Sequence, residues 1–215
     1  CIYQLAGEGR PVLNHAHDFA EDRPPNMAFL RFILRDGLQV EPEEVMYPVE
    51  WNNYHIGVIN TFDQERLIKQ DFPAERISYL PNPVSVPDIS SLPPQNTCRA
   101  NIIDALSLDP DKKIVTYPVR VIRRKNIGEL ILLSELLREQ AAFLVTLAPK
   151  NPVEIEHYKS WTSFCMEKNL DNIHFEVGEI INYQELVRGS DFCITTSIRE
   201  GFGMTYMEPW LYETP

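Results

Sequence analysis

From about residue 112 onward, short unbroken apolar runs alternate with longer stretches in which apolar residues recur every three or four positions. This is the pattern of a parallel sheet covered by helices, since strands buried on both faces read as continuous apolar runs. Residues 113–118 (KIVTYP), 142–148 (AFLVTLA), 172–177 and 191–195 (DFCIT) are predicted strands. The intervening helices are predicted over 127–137, with Ile127, Leu130, Leu133 and Leu137 on one face, over 152–168, over 183–187 and over 204–212. Pro152 falls in the first turn of its helix, where a missing N–H removes no bond. The order strand, helix, strand, helix describes half of a doubly wound α/β unit.

The first ninety-odd residues repeat the alternation less regularly. Strands are predicted over 12–17, 56–60 and 77–80, with a helix over 27–34, and Thr61-Phe62-Asp63-Gln64 has capping-box spacing for another helix. Between the two regions, residues 81–94 hold five prolines with Ser and Asp, the make-up of a stiff extended connector. The expected organisation is therefore two α/β lobes of Rossmann-like, doubly wound type, 1–95 and 96–215. A helix over 101–106 is expected to pack onto the second lobe.

Composition narrows the function classes. The 215 residues carry 20 Lys plus Arg against 31 Asp plus Glu, a formal charge of −11, which argues against a generic binder of nucleic acid or anionic membrane. At 44% hydrophobic and 24% charged the chain has the make-up of a soluble globular protein. Its longest apolar runs fall far short of the roughly 18 to 20 residues of a membrane span. No basic-then-apolar leader opens it, so a cytoplasmic setting is expected. Cys1, Cys98, Cys165 and Cys193 lack close or CxxC spacing, and reduced thiols without a zinc site are expected. The start at Cys1 and the turn-like ending Tyr212-Glu213-Thr214-Pro215 read as a piece of a longer protein, with the second lobe's closing strands and helices beyond Pro215.

Two segments carry the chemistry, and each follows a predicted strand, where loops of an open parallel sheet line the ligand crevice. The first, Arg120-Val121-Ile122-Arg123-Arg124-Lys125, places four cations in six positions. Asn126 and Glu129 then have capping-box spacing, so the cations crowd the positive end of a helix. That placement is unfavourable unless an anion such as phosphate sits there. A solvated turn paired with surface carboxylates is the alternative. The second segment runs from Ser197 to Glu208. Gly201 and Gly203 allow close backbone approach, the helix after them offers free N–H groups, and Glu200 and Glu208 stand eight residues apart. Carboxylates accept well from vicinal hydroxyls, so this segment suits a sugar at one end and a ribose at the other. A tight strand-to-helix turn with an ordinary exposed Glu208 is the alternative.

Glu200-Gly201-Phe202-Gly203 through Glu208 resembles the EGFG opening and the E-x7-E motif of family-4-type retaining glycosyltransferases of GT-B fold. Arg120 and Lys125 match that family's Arg-x4-Lys diphosphate clamp, and Leu80-Pro81-Asn82-Pro83-Val84 is similar to its turn before the interdomain linker. His17-Asp18 resembles its His-Asp pair after an N-lobe strand, and Thr214-Pro215 the start of its "GTP" turn. The resemblance spans nearly the whole chain. It implies that Glu208 takes the ribose hydroxyls, Glu200 the hydroxyls of the transferred sugar, and Arg120 and Lys125 the departing diphosphate. It implies further that backbone amides around Gly203, Met204 and Thr205 cradle the phosphates, that Gly201 and Phe202 belong to the same donor-binding segment, and that His17 contacts the donor sugar from the other lobe. The partner is then a nucleotide diphosphate sugar, the acceptor an unspecified sugar, lipid or small molecule. No cofactor or metal is expected, fixed cations taking the place of a divalent ion. Departures are Val119 for Gly before Arg120, Asn126 for Gly after Lys125, and Glu213 for Gly in the last turn; the glycine-rich loop after the first strand has no counterpart. A sugar-nucleotide-binding protein without turnover, or a glycoside hydrolase using Glu200 and Glu208, are the competing readings. His15, at period two from His17, is expected to hydrogen-bond at the strand end, and Trp161 and Phe164 to join the core.

Overall fold

The computed structural model describes residues 2–22, 24–37, 40–48 and 50–215. Its contacts divide the chain into two compact units, Cys1–Pro83 and Val84–Pro215. The proline-rich stretch after Pro83 belongs with the second unit, where the Pro93 carbonyl accepts from Arg188 Nε at 3.1 Å.

In the first unit α1 (Ile2–Gly7), β1 (Val12–Ala16), α2 (Pro24–Gly37), α3 (Pro42–Met46), β2 (Tyr54–Val58), α4 (Thr61–Lys69) and β3 (Ile77–Tyr79) follow one another. The strands form a parallel sheet in the order β1-β2-β3. Tyr54, Ile56 and Val58 of β2 fill its core with Ala16, Leu67, Phe72 and Ile77. Helices α1 and α3 were not expected, because each is too short to show a period. The cap of α4 also differs from expectation. Asn60, not Thr61, is the N-cap: its carbonyl oxygen accepts from the Asp63 N–H at 2.8 Å, and its amide donates to the Asp63 carboxylate at 2.7 Å. The cap thus sits one residue upstream of the expected one.

The second unit contains α5 (Gln95–Leu106), β4 (Lys113–Arg120), α6 (Ile127–Leu136), β5 (Ala141–Leu147), α7 (Pro152–Glu167), β6 (Ile173–His174), α8 (Tyr183–Gly189), β7 (Phe192–Cys193) and α9 (Met204–Leu211). Its parallel sheet has the order β6-β5-β4-β7. The strand alternation sorts side chains onto two cores. Val115, Tyr117 and Val119 of β4 and Phe143 and Val145 of β5 pack with α6 and α7 through Ile127, Leu130, Ile131 and Tyr158. Ile114, Ala142 and Leu144 point the other way, against Ile102 of α5 and Leu186 of α8. Helices α5 and α8 pack closely at Gly189, where an added Cβ would lie 2.7 Å from backbone atoms of Cys98 and Arg99. Strands β6 and β7 keep only two residues each of the runs predicted for them, since only that much pairs with the longer central strands.

Cys98 and Cys165 are buried and, with Cys193, carry free thiols; Cys1 lies outside the described residues. Burial pushes the Cys193 thiol up to about 12, which removes its reactivity. No helix among the described residues is long and apolar enough to cross a membrane.

Candidate functional site

The second unit gathers its charged motifs beyond the carboxyl ends of β4 and β7. The pairing of β4 with β5 shifts register between Tyr117 and Arg120, and Arg120 closes the strand opposite Leu147. Its guanidinium donates to the Ala148 carbonyl at 2.7 Å. The chain then winds into a 3-10 turn, Arg123–Lys125, and enters α6 through Asn126. Asn126 has a left-handed backbone, φ 48°. The expected capping box is therefore not formed: no side chain caps the backbone of α6, and the Asn126 amide donates instead to the Glu129 carboxylate at 2.6 Å. Asn suits this position, being among the few residues other than Gly that visit the left-handed region readily.

The segment after β7 is stitched to this turn. The Ile198 N–H donates to the Arg124 carbonyl at 2.9 Å, and the Thr196 hydroxyl lies 3.0 Å from the carbonyls of both Lys125 and Asn126. Glu200 is thereby brought between two cations. Lys125 Nζ bonds its Oε1, and Arg124 Nη1 lies 2.9 Å from its Oε2. The Lys125 and Glu200 side chains are only 9% and 10% exposed, so this is a desolvated pair, in which removing one partner leaves the other charge buried and uncompensated. Burial opposes ionisation of Glu200, but hydrogen bonds from Lys125, Ser197 and Arg124 outweigh it and hold the carboxyl below its usual range. Sequence reading expects Arg123 and Arg124 to face solvent alike. Both are exposed, at 68% and 48% of the side chain, and each reaches a carboxylate: Arg123 stands 3.9 Å from Glu154, while Arg124 pairs with Glu200 and donates to the Arg199 carbonyl at 3.0 Å.

Downstream, Gly203 takes φ 81° and starts α9. An added Cβ there would come within 2.5 Å of the Tyr206 ring, so both conformation and space require glycine. No side chain caps α9, and Thr205 Oγ1 is buried without a hydrogen-bond partner among the described residues. Glu208, on the second turn, accepts from the Tyr183 hydroxyl at 2.8 Å. Burial first, and the Glu208 carboxylate second, raise the Tyr183 pKa, so the phenol stays a donor. The chain then turns through Glu213, φ 62°, and Thr214 Oγ1 donates to the Val187 carbonyl at 2.8 Å.

In the first unit His17 is exposed just beyond β1. Its ring lies 4.4 Å, centroid to centroid, from that of His15, whose Nε2 is 2.9 Å from the Leu80 carbonyl. His15 thus has the strand-end hydrogen bond expected of it. Trp161 packs on Gly128 and the adjoining core, while Phe164 stays 39% exposed. Among the described residues no group of three or more His, Cys, Asp or Glu is placed to hold a metal. The chain's Asp-x-Asp sequence, Asp109-Pro110-Asp111, lies before β4, at the strand end away from Arg120, and the Asp109 carboxylate accepts from the Asp111 N–H at 3.0 Å. Tyr117, Tyr183 and Ser197 are the residues around the site that motif reading did not assign; a Tyr inside a buried apolar run is a signal, because its hydroxyl needs a partner.

No family model matches the chain. The mannosylglucosyl-3-phosphoglycerate synthase of Petrotoga mobilis is 31% identical over 212 residues, covering 92% of this chain and 38% of that protein. Anabaena HepE, crystallised with UDP and glucose, matches with TM-score 0.66 at 17% identity over 96% of this chain and 52% of its own. WaaG, a glycosyltransferase involved in lipopolysaccharide biosynthesis, matches with TM-score 0.65 at 15% identity, over 96% of this chain and 56% of its own. The sucrose-phosphate synthase of Thermosynechococcus elongatus gives TM-score 0.61, 20% identity, and 94% and 48% coverage. The chain thus spans about half the length of these structures and less of the curated relative. At such identities the likeness speaks for the fold, and that fold is GT-B: parallel-sheet α/β lobes of Rossmann type.

Proposed function

We propose that the protein transfers a sugar from a nucleotide diphosphate sugar to an acceptor hydroxyl, with retention of anomeric configuration and without a metal ion. The observation that carries this reading is the Glu200–Lys125–Arg124 cluster at the carboxyl ends of β4 and β7. The chemistry needs charge neutralisation on a departing diphosphate, and fixed cations in a desolvated cleft supply it. On donor binding, Lys125 shares its protons between Glu200 and a diphosphate oxygen, with Arg120 as the second clamp. Glu200 then offers lone pairs to the hydroxyls of the transferred sugar. Glu208 takes the ribose, held by Tyr183. Gly201, Phe202 and Gly203, with the first N–H groups of α9 at Met204 and Thr205, receive the phosphates, and the unpartnered Thr205 hydroxyl is a further donor for them. His17 is kept in this proposal as the residue of the first unit with a role toward the transferred sugar.

A glycoside-hydrolase reading would have to take its acid from Glu208, because Glu200 is held ionised by its donors. Names among the relatives set the first compounds to try. HepE was crystallised with UDP-glucose, and the Petrotoga relative is named for a mannosylglucosyl-3-phosphoglycerate product. The test is release of nucleoside diphosphate by the full-length protein from UDP-, GDP- and ADP-hexoses, with glucosyl-3-phosphoglycerate among the acceptors. Acceptor-dependent release that persists in EDTA, with an axial donor giving an axial product by proton NMR, supports the reading. Absence of both binding and release across the panel overturns it.

A further inference from the structure

The cation segment is pinned at both of its ends. At its start the Val121 N–H donates to the Leu147 carbonyl at 2.9 Å, and the Arg120 guanidinium to the next carbonyl of the same strand end, Ala148, at 2.7 Å. At its close the Lys125 carbonyl accepts from the Tyr117 and Thr196 hydroxyls, each at 3.0 Å. Between these points lies the 3-10 turn Arg123–Lys125, and the N–H groups of its first residues have no carbonyl within the turn to bond. Ile122, at the cap position, has an apolar side chain and offers no acceptor. The acceptor comes from Glu154, 31 residues downstream. The Arg123 N–H donates to Glu154 Oε2 at 3.1 Å, and the Arg123 guanidinium stands 3.9 Å from the same oxygen. The Glu154 side chain is only 18% exposed. Its place is set by the first turn of α7, where the Asn151 side chain accepts from the Val153 N–H at 3.1 Å. The charges sort accordingly: Arg123 faces Glu154, Arg124 and Lys125 share Glu200, and among the described residues Arg120 has no carboxylate at ion-pairing distance.

We infer that Glu154 is the positioning residue of the diphosphate clamp: by accepting from the backbone of the turn between Arg120 and Lys125, it sets the separation of the two cations that receive the departing group. The inference rests on the proposed transferase reading. Glu154 acts through a backbone N–H and pairs with neither clamp cation, so it orders the clamp without competing for it. A turn of three residues has little slack. Loss of the acceptor frees its first residue, and a displacement of about 1 Å at a charge that works by preorganisation is costly to the transition state. The start of α7 thereby belongs to the site, although it supplies no group to the ligand.

The experiment compares Glu154→Ala, Glu154→Asp, Glu154→Gln and Lys125→Ala in the full-length protein, by kcat per folded molecule, donor KM, thermal melting and calorimetric binding of UDP, GDP and ADP. Glu154→Ala is expected to lower kcat about tenfold, the scale of a hydrogen bond to a charged group, and to weaken the nucleoside diphosphate that the wild type binds by about fivefold. Glu154→Gln keeps an oxygen acceptor and removes the charge; it restores kcat to within about twofold, with the diphosphate bound at least as tightly as by the wild type. Glu154→Asp keeps the charge but falls one methylene short, and behaves like Glu154→Ala. Should the alanine variant fail to fold, the aspartate and glutamine variants carry the comparison. If Glu154→Ala and Glu154→Asp lower the melting temperature but leave kcat and diphosphate affinity unchanged, while Lys125→Ala lowers kcat about a hundredfold or more, the Glu154 bond is only structural and the inference falls alone. It falls equally if Glu154→Asp restores turnover and Glu154→Gln does not, since charge and not the bond to the turn is then what matters. If Lys125→Ala leaves transfer intact, the transferase reading of the site falls and takes the inference with it.

Discussion

Two carboxylates in the second unit keep nearly the same company at opposite ends of one strand. Asp191, just before β7, accepts from Arg99, from Lys113 Nζ at 3.0 Å and from the Ile114 backbone N–H at 2.8 Å. Glu200, after β7, has Lys125, Arg124 and Ser197. Burial opposes both charges, and their donors overcome it in both, so each lies below the usual carboxylate range. Ion pairing and titration therefore do not separate a structural carboxylate from a functional one. Position does. Asp191 joins α5 to the first residues of β4, at the amino ends of the strands, whereas Glu200 sits at the carboxyl ends, where parallel sheets take ligands.

The contrast breaks most visibly at Lys125. Lys125→Ala is expected to lower kcat by about two to three orders of magnitude, as loss of a preorganised charge at a departing group does. A stopped assay of nucleotide release measures it, and an effect under fivefold would place Glu200 with Asp191 as structural. Next in size, Glu208→Ala should weaken binding of the cognate nucleoside diphosphate at least about tenfold by calorimetry, through lost charge-assisted bonds to ribose. Asp191→Asn should act in the other register. Stability falls by about 1 to 3 kcal/mol, read from the denaturant midpoint, while kcat per folded molecule is unchanged. Because the native Asp191 pKa is depressed, an unfolded Asp takes its proton first as pH drops. Its stabilisation is thus complete above about pH 5 and is lost as pH falls through the native value. Asp191→Asn should erase that part of the acid sensitivity. The smallest effect is expected at a third carboxylate, Glu213, 69% exposed and 3.6 Å from Arg188. An exposed pair of this length is worth little, whereas φ 62° disfavours any residue with a Cβ. Glu213→Gly should therefore stabilise by a few tenths to about 1 kcal/mol, with transfer unaltered.

The parallel sheet of the second unit was legible because β4 and β5 are buried on both faces, which leaves an unbroken apolar run in the sequence. The cations and the two glutamates were legible as motifs. What escaped were features decided by backbone conformation or by distant partners. Asn126 has capping-box spacing to Glu129, yet its left-handed backbone leaves the helix backbone uncapped and turns its amide to the Glu129 carboxylate. Thr61 matches the box pattern, but Asn60 is the N-cap. Arg124 is exposed, as its place beside Arg123 suggests, but nothing local announces its carboxylate partner 76 positions away. Tyr183 has the same character, its partner Glu208 lying 25 residues downstream.

The placement of β7 beside β4 has a consequence in time. Pairings of β4 with β5 and of β5 with β6 join neighbours along the chain, but Ile114 and Asp191 meet across 77 residues. Loop-closure entropy makes such a contact late relative to the local ones. The cation turn should therefore exist before Glu200 reaches it, a stage at which Lys125 is left without its counter-charge. Pulse-labelled hydrogen exchange tests this order. Protection of the Phe143 amide, bonded to Asn172, should precede protection of the Ile194 amide, bonded to Thr116, and simultaneous protection would mean that sheet and site fold as one unit.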